Sequence, residues 1–308
     1  MAPKIQLLGA ILLLLVMHSI DTTESKHDAF EFIEHLKGCH KGQNVSGVHQ
    51  LKQYLKTFGY LNYNAVKHHN HINHANDDVY DDALESAVKS YQQQYHLKVT
   101  GTLDPETVKE MTMPRCGVPD ITNKTHHHGH HNRKLIHAVS HYQFFRGNPR
   151  WRKSQLTYRF RSSVSVPGTA NIRSICARAF QKWAQVSHFT FQEVHPNAAA
   201  DIEIGFHSGD HGDGANFDGP GGTLAHAFAP TVGYFHFDAQ EFWSENPGPD
   251  QVDLESVAVY EIGHLLGLGH DDTVPDAIMY SKFSYGTTKR NLHADDIRGI
   301  RALYGLNK

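Results

Sequence analysis

The sequence predicts an α+β domain preceded by a smaller three-helix domain, and three observations carry that reading. Apolar residues recur at helical spacing in three stretches within the first 113 residues. In the second half, short alternating runs that read as strands are interleaved with helical patterns. One of those helices ends at Gly267 and carries Glu261 and His264 just ahead of His270. At 308 residues the chain has room for two domains once a targeting segment is set aside.

The first helix is marked by Val48, Leu51, Leu55 and Phe58, and the second by Leu84, Ala87, Val88, Tyr91 and Tyr95. A third begins at Asp104-Pro105, an N-cap followed by proline at the first helical position, and carries Val108 and Met111. A polar His/Asn segment, His68 to Asn76, separates the first two. In the second domain, Leu156, Tyr158 and Phe160 alternate as a strand, and a helix follows with Ile172, Ile175, Cys176, Ala179, Phe180 and Trp183 on one face. Phe189 and Phe191 mark a second strand, and Ile202, Ile204 and Phe206 a third. A last helix, Asp295 to Tyr304, packs through Ile297, Ile300 and Leu303 and is closed by Gly305. One twisted sheet with three helices accommodates this order.

Lys4 followed by the apolar run Ile5 to Met17 fits a secretory signal, with cleavage between Ser19 and Ser25, and the run is too short to span a bilayer. A net charge of −3 gives no electrostatic case for nucleic acid. The 26 histidines are the compositional anomaly. Cys39, Cys116 and Cys176 cannot all pair with one another, so no disulfide framework is implied. Asn44 and Asn123 open Asn-X-Ser/Thr glycosylation acceptors.

Leu254, Val257, Ala258 and Leu265 give the helix ahead of Gly267 an apolar face, leaving Glu261 and His264 toward a cleft. In an unbroken helix His270 would stand about 120° around the axis from His264. A turn at Gly267 lets it swing back. This is the arrangement of the extended zinc motif HExxHxxGxxH, with Tyr260 in place of the first histidine. Met279 follows in Ala-Ile-Met-Tyr, at the place of a Met-turn.

By these residues the chain resembles a matrix metalloproteinase, or matrixin, of the metzincin clan. Pro114-Arg115-Cys116-Gly117-Val118-Pro119-Asp120 matches the family's cysteine switch at every position, and Val99 to Thr107 resembles its propeptide. The segment from Ser140 through Trp151 resembles the mature start of plant-type members. The resemblance implies a signal peptide at 1–23, a propeptide at 24–140 and a metzincin-type catalytic domain at 141–308. It implies catalytic zinc on His264 and His270, Glu261 as catalytic base, and Cys116 on that zinc in the zymogen. It also implies a second, structural zinc on His211, Asp213, His226 and His236, three imidazoles and a carboxylate closing a tetrahedral site. The Gly-rich loop at 217–223 offers oxygen ligands, and the family's calcium falls on Asp218, Gly219, Gly221, Thr223, Asp238 and Glu241.

Gly222 to His226, including Leu224 and Ala225, is expected to form the edge strand that pairs with an extended peptide. Ser256 is expected to line the base of the specificity pocket; Ser281 stands where the family usually has Pro, and Phe283 where it often has Tyr. His126 to His131 reads as a protease-accessible linker, with activation cleavage between this tract and Phe145. The chain stops three residues after Gly305, so neither a hemopexin-like domain nor a membrane anchor is expected.

The function implied is a secreted zinc metalloendopeptidase, made as a zymogen and released by an activating protease, that cleaves extracellular, cell-wall or matrix proteins or peptides. Tyr260 leaves three readings open: it ligates as a phenolate, or its ring is too long and turns away, or the catalytic metal is absent. The last makes the chain a catalytically impaired relative that binds peptides or an inhibitor. Metal buffering by the histidine tracts is a third function class.

Overall fold

A computed structural model describes residues 29–63, 76–121, 142–162 and 164–306. The expected signal segment, Asn123, the tract at 126–131 and most of the 68–76 segment lie outside the described residues.

The first domain is built from α1 (Val48–Thr57), α2 (Asp82–Gln94) and α3 (Pro105–Met111). Its caps explain where two of these helices start. Asp81 accepts from the Leu84 amide at 2.7 Å and Asp104 from the Thr107 amide at 2.9 Å, satisfying donors that have no partner inside the helix. A 3-10 helix at Glu31–Leu36, which periodicity did not reveal, adds Ile33 and Leu36 to the same core. Buried Gln92 ties the turn between α2 and α3, donating to the Thr102 carbonyl and the Thr107 hydroxyl, both at 2.9 Å.

The second domain is α+β, as expected. Its sheet contains β1 (Arg115–Cys116), β2 (Gln155–Phe160), β3 (Thr190–Glu193), β4 (Ile202–His207), β5 (Thr223–Ala227) and β6 (Tyr234–Asp238) in the order β1-β5-β6-β4-β2-β3. Only the β5–β6 pair is antiparallel. Three helices complete the domain: α4 (Ile172–Ala184), α5 (Leu254–Leu265) and α6 (Ala294–Tyr304). Residues of α4 and α5 are buried in one core with the inward side chains of β2, β4 and β6. The Trp183 indole of α4 donates to the Val259 carbonyl at 2.8 Å, fixing α4 against α5.

All twelve residues of α5 are buried, so it is a central helix rather than an amphipathic surface one. The Met279 sulfur packs so close beneath α5 that a Cβ on Gly263 would lie 2.3 Å from it. Asp296 holds that turn by accepting from the Ile278 and Met279 amides at 2.9 and 3.1 Å. Cys116 and Val118 belong to this second core, although the chain has just left the first domain.

Candidate metal centres and cleft

Beyond α5 the backbone reverses at Gly267, whose φ of 101° is one that side-chain-bearing residues rarely adopt. The reversal brings His270 back, with ring centroids of His264 and His270 5.0 Å apart. The two imidazoles are oriented alike. His264 Nδ1 lies 2.7 Å from the Leu268 carbonyl and His270 Nδ1 2.7 Å from Asp120 Oδ1, so each Nδ1 carries the proton and each Nε2 presents a lone pair. Both Nε2 atoms are buried and make no hydrogen bond. Together with Cys116 Sγ they form a cluster of donors lying within 4.8 Å of one another.

Glu261 is fully buried beside this cluster, and neither carboxylate oxygen makes a hydrogen bond. Burial pushes it up to about 8, with the Cys116 thiol pulling weakly the other way. Burial, and then Glu261, push the Cys116 thiol well up; burial, and then His270, push His264 well down. Burial therefore holds the carboxyl and the thiol protonated and the His264 imidazole neutral, with its lone pair free to bind a metal.

Tyr260 does not turn out to solvent. It is 1 % exposed, with its ring edge-on to His264 at 4.9 Å, 6.2 Å from His270 and 5.1 Å from Phe283. Its hydroxyl is buried without a partner, and burial, Cys116 and Glu261 hold its proton on. Two unpartnered imidazole nitrogens and a thiol are a donor set that suits zinc.

The second cluster is self-contained. His211 Nε2, His226 Nε2 and His236 Nδ1 lie 2.8, 2.9 and 2.8 Å from one oxygen of Asp213. Zinc bonds of about 2.0–2.1 Å at tetrahedral angles place neighbouring donors about 3.3 Å apart. The His211–His236 nitrogen separation is 3.2 Å, so the spacing fits. His207, whose ring centroid lies 4.2 Å from that of His236, borders this cluster and was not singled out in the sequence.

In the loop before β5, Asp218 accepts from the Thr223 amide at 3.0 Å, and Asp238 accepts from Gly219 at 3.3 Å. Burial, with Asp238 nearby, raises Asp218 to about 7; burial raises Asp238 to about 6. Glu241 is also buried, and Gly221 completes the turn at a positive φ.

The cleft lies between β5 and residues 281–283, and the switch segment fills it. Arg115 and Gly117 amides donate to the Gly222 and Ala225 carbonyls at 2.8 Å each. On the other side the Cys116 amide donates to Ser281 and the Phe283 amide to Pro114, at 3.3 and 2.8 Å. Arg115 and Asp120, both with fully buried side chains, pair at 2.5 Å, and the guanidinium lies 3.5 Å from the Phe58 ring centroid. Asp120 therefore links Arg115 to His270, a role its place in the switch motif did not disclose. Asn44 is exposed beside the first domain's core.

A family profile described as Matrixin matches residues 150–305, and one described as Putative peptidoglycan binding domain matches residues 44–111, the span of α1 to α3. Metalloendoproteinase 1 of Glycine max is 47% identical over 279 residues, covering 87% of this chain and 85% of that protein. Metalloendoproteinase 5-MMP of Arabidopsis thaliana is 43% identical over 291 residues, covering 91% and 77%. Matrix metalloproteinase-20 of Homo sapiens is 39% identical over 225 residues, covering 72% and 42%. With the family's domain spanning half the chain and relatives of this identity aligned along most of its length, the chain belongs to the matrixin family.

Proposed function

We propose that this chain is a secreted zinc-dependent endopeptidase made as a zymogen, with a leader at 1–23, a propeptide at 24–140 carrying the switch at 114–120, and a catalytic domain at 141–308. The observation that carries the proposal is the convergence of His264 Nε2, His270 Nε2 and Cys116 Sγ beside the buried Glu261 carboxylate. Zinc held there supplies Lewis acidity toward a water and the scissile carbonyl. Glu261 takes the proton of the attacking water and returns it to the leaving amine nitrogen. The Nδ1 protons donated to Leu268 and Asp120 hold the imidazoles in register.

Latency follows from the same geometry. Cys116 sulfur occupies the place of the water, and the switch backbone occupies the Gly222 and Ala225 carbonyls that an extended substrate pairs with on β5 at Leu224 and Ala225. Cutting between the 126–131 tract and Phe145 by an activating protease frees both. The His211, Asp213, His226 and His236 cluster holds a structural zinc. The buried carboxylates of Asp218, Asp238 and Glu241, with oxygens of Gly219, Gly221 and Thr223, hold calcium. Glycans on Asn44 and Asn123, and extracellular, cell-wall or matrix proteins as substrates, complete the reading.

Tyr260 favours a second reading, a chain of impaired catalysis that acts by binding peptides or an inhibitor. A phenolate oxygen there weakens the Lewis acidity of the metal and moves the pH profile upward. Peptide cleavage by the activated wild type and a Glu261→Ala variant separates the readings. The endopeptidase loses at least about 100-fold in the variant. Equal rates, or no cleavage by a zinc-loaded wild type, establish the binding reading instead.

A further inference from the structure

The acceptor that orients His270 lies on the wrong side of the activation cut to stay with the enzyme. His270 Nδ1 is 2.7 Å from Asp120 Oδ1. Asp120 is itself held by the switch and the first domain: Arg115 donates to it at 3.1 and 2.5 Å, and the Tyr60 and Tyr95 hydroxyls at 2.7 and 3.1 Å. All of these groups depart together when the propeptide is released. His270 then loses the partner that fixes its tautomer and ring angle. His264 does not, because the Leu268 carbonyl that accepts its Nδ1 proton belongs to the catalytic domain.

A second carboxylate stands beside the first. One oxygen of Asp272 lies within 4.8 Å of both a His270 ring nitrogen and an Asp120 oxygen, and the Asp272 side chain is buried. Its two oxygens are held from different domains. Oδ1 accepts from the Ser281 hydroxyl at 2.6 Å, inside the catalytic domain. Oδ2 accepts from the side-chain amide of Gln94, the last residue of α2, at 2.9 Å. The departure that takes Asp120 from His270 therefore also takes Gln94 from Asp272. One imidazole N–H loses its acceptor in the same step in which one carboxylate oxygen loses its donor. A shift of about 2 Å, within the range of a side-chain rotation, brings the two into hydrogen-bonding distance. Lys282 competes for the same carboxylate, since it acts on Asp272 electrostatically and loses the Tyr91 hydroxyl when α2 leaves. A carboxylate accepts from several donors at once, so Ser281, Lys282 and His270 can share it.

We propose that Asp272 is a positioning residue of the activated enzyme, whose carboxylate takes over the Nδ1 proton of His270 from Asp120 when the first domain leaves. The proposal rests on the endopeptidase reading above and adds a residue to its site. The exchange replaces one carboxylate by another, so Nε2 of His270 keeps its lone pair toward the metal site through activation. An imidazole that donates from its other nitrogen to a carboxylate is held in one orientation and is a more basic ligand.

The test uses the full chain with a protease site inserted between 132 and 140, either intact or cut and freed of its first domain. Chelator competition measures the affinity of the zinc ion that His264→Ala abolishes. Asp272→Ala is expected to weaken that affinity about tenfold or more in the cut protein and by under about threefold in the intact chain, where Asp120 still holds His270. A residue needed only for packing moves both forms alike. In the zinc-free proteins the Nδ1–H resonance of His270, followed by NMR, is expected to survive cutting in the wild type and to vanish in cut Asp272→Ala. An equal effect of Asp272→Ala on both forms, no effect on the cut form, or loss of the resonance in cut wild type overturns the proposal; peptide cleavage by the cut wild type then leaves the endopeptidase reading standing. A cut wild type that keeps the resonance through Asp272 but binds no zinc beside Glu261 overturns that reading and retains the exchange.

Discussion

The two histidine clusters are built from similar side chains and are completed in opposite ways. The cluster at Asp213 draws all four donors from the catalytic domain, three nitrogens gathered on one carboxylate oxygen. The cluster on α5 has only two histidines of its own, and its remaining close sulfur donor, Cys116, arrives from the segment that ends the first domain. Even the orientation of His270 depends on that segment, through Asp120. A closed donor set serves stability, whereas a set completed by a removable strand can be opened. The comparison predicts that damage to each cluster appears in a different observable.

The largest effect should come from Arg115→Ala. It leaves Asp120 buried beside His270 without its fully buried partner, a loss of about 3–5 kcal/mol. It should appear as loosened docking of the first domain, read by faster proteolysis of the 114–121 segment, and leave the Asp213 cluster untouched. Asp213→Ala should come next, costing about 3 kcal/mol and roughly 6–12 °C in thermal midpoint, with the switch still protected. If Arg115→Ala lowered the thermal midpoint as Asp213→Ala does and left switch proteolysis unchanged, the division between the clusters would be wrong.

A pH titration sharpens the comparison on the switch side. Asp120 is pushed up by burial but pulled further down by Arg115 and His270, well below the usual carboxylate range. Its contribution to docking is therefore full above about pH 4 and lost only as pH falls toward its depressed value. Lys282 acts in the other direction. Burial lowers it to about 7 while docked, against an ordinary value near 10.5, so the separated state binds more protons between those limits. Docking should strengthen from pH 7 toward 10, and Lys282→Met should flatten that limb when dissociation of the cleaved first domain is measured. The smallest effect belongs to Tyr95→Phe. It removes the 3.0 Å contact with Ser281 and should weaken docking by about 1 kcal/mol.

Much of this architecture is legible in local sequence. Asp104-Pro105 marks the start of α3 because capping and proline geometry act over four residues, and Leu156, Tyr158 and Phe160 mark β2 because a half-buried strand alternates. Gly267 announces the reversal that brings His270 back, and the spacing of His211 and Asp213 announces their shared loop. What stays hidden is set by contacts between distant residues. The bond from Asp120 to His270 spans 150 positions, and that from Lys282 to Tyr91 spans 191. The parallel pairing of β1 with β5 is equally invisible, because a two-residue strand carries no periodicity. Full burial of α5 also overrides the amphipathic pattern assigned to it, since β5, the Met279 turn and the first domain's switch cover its remaining faces.

The most direct measurement is the zinc content of the full chain, compared with His264→Ala and Asp213→Ala. Two ions in the wild type and one in each variant are predicted, because each substitution empties its own cluster. One ion in the wild type, unchanged in His264→Ala and lost in Asp213→Ala, would show that the Tyr260 cluster holds no zinc and would contradict the account.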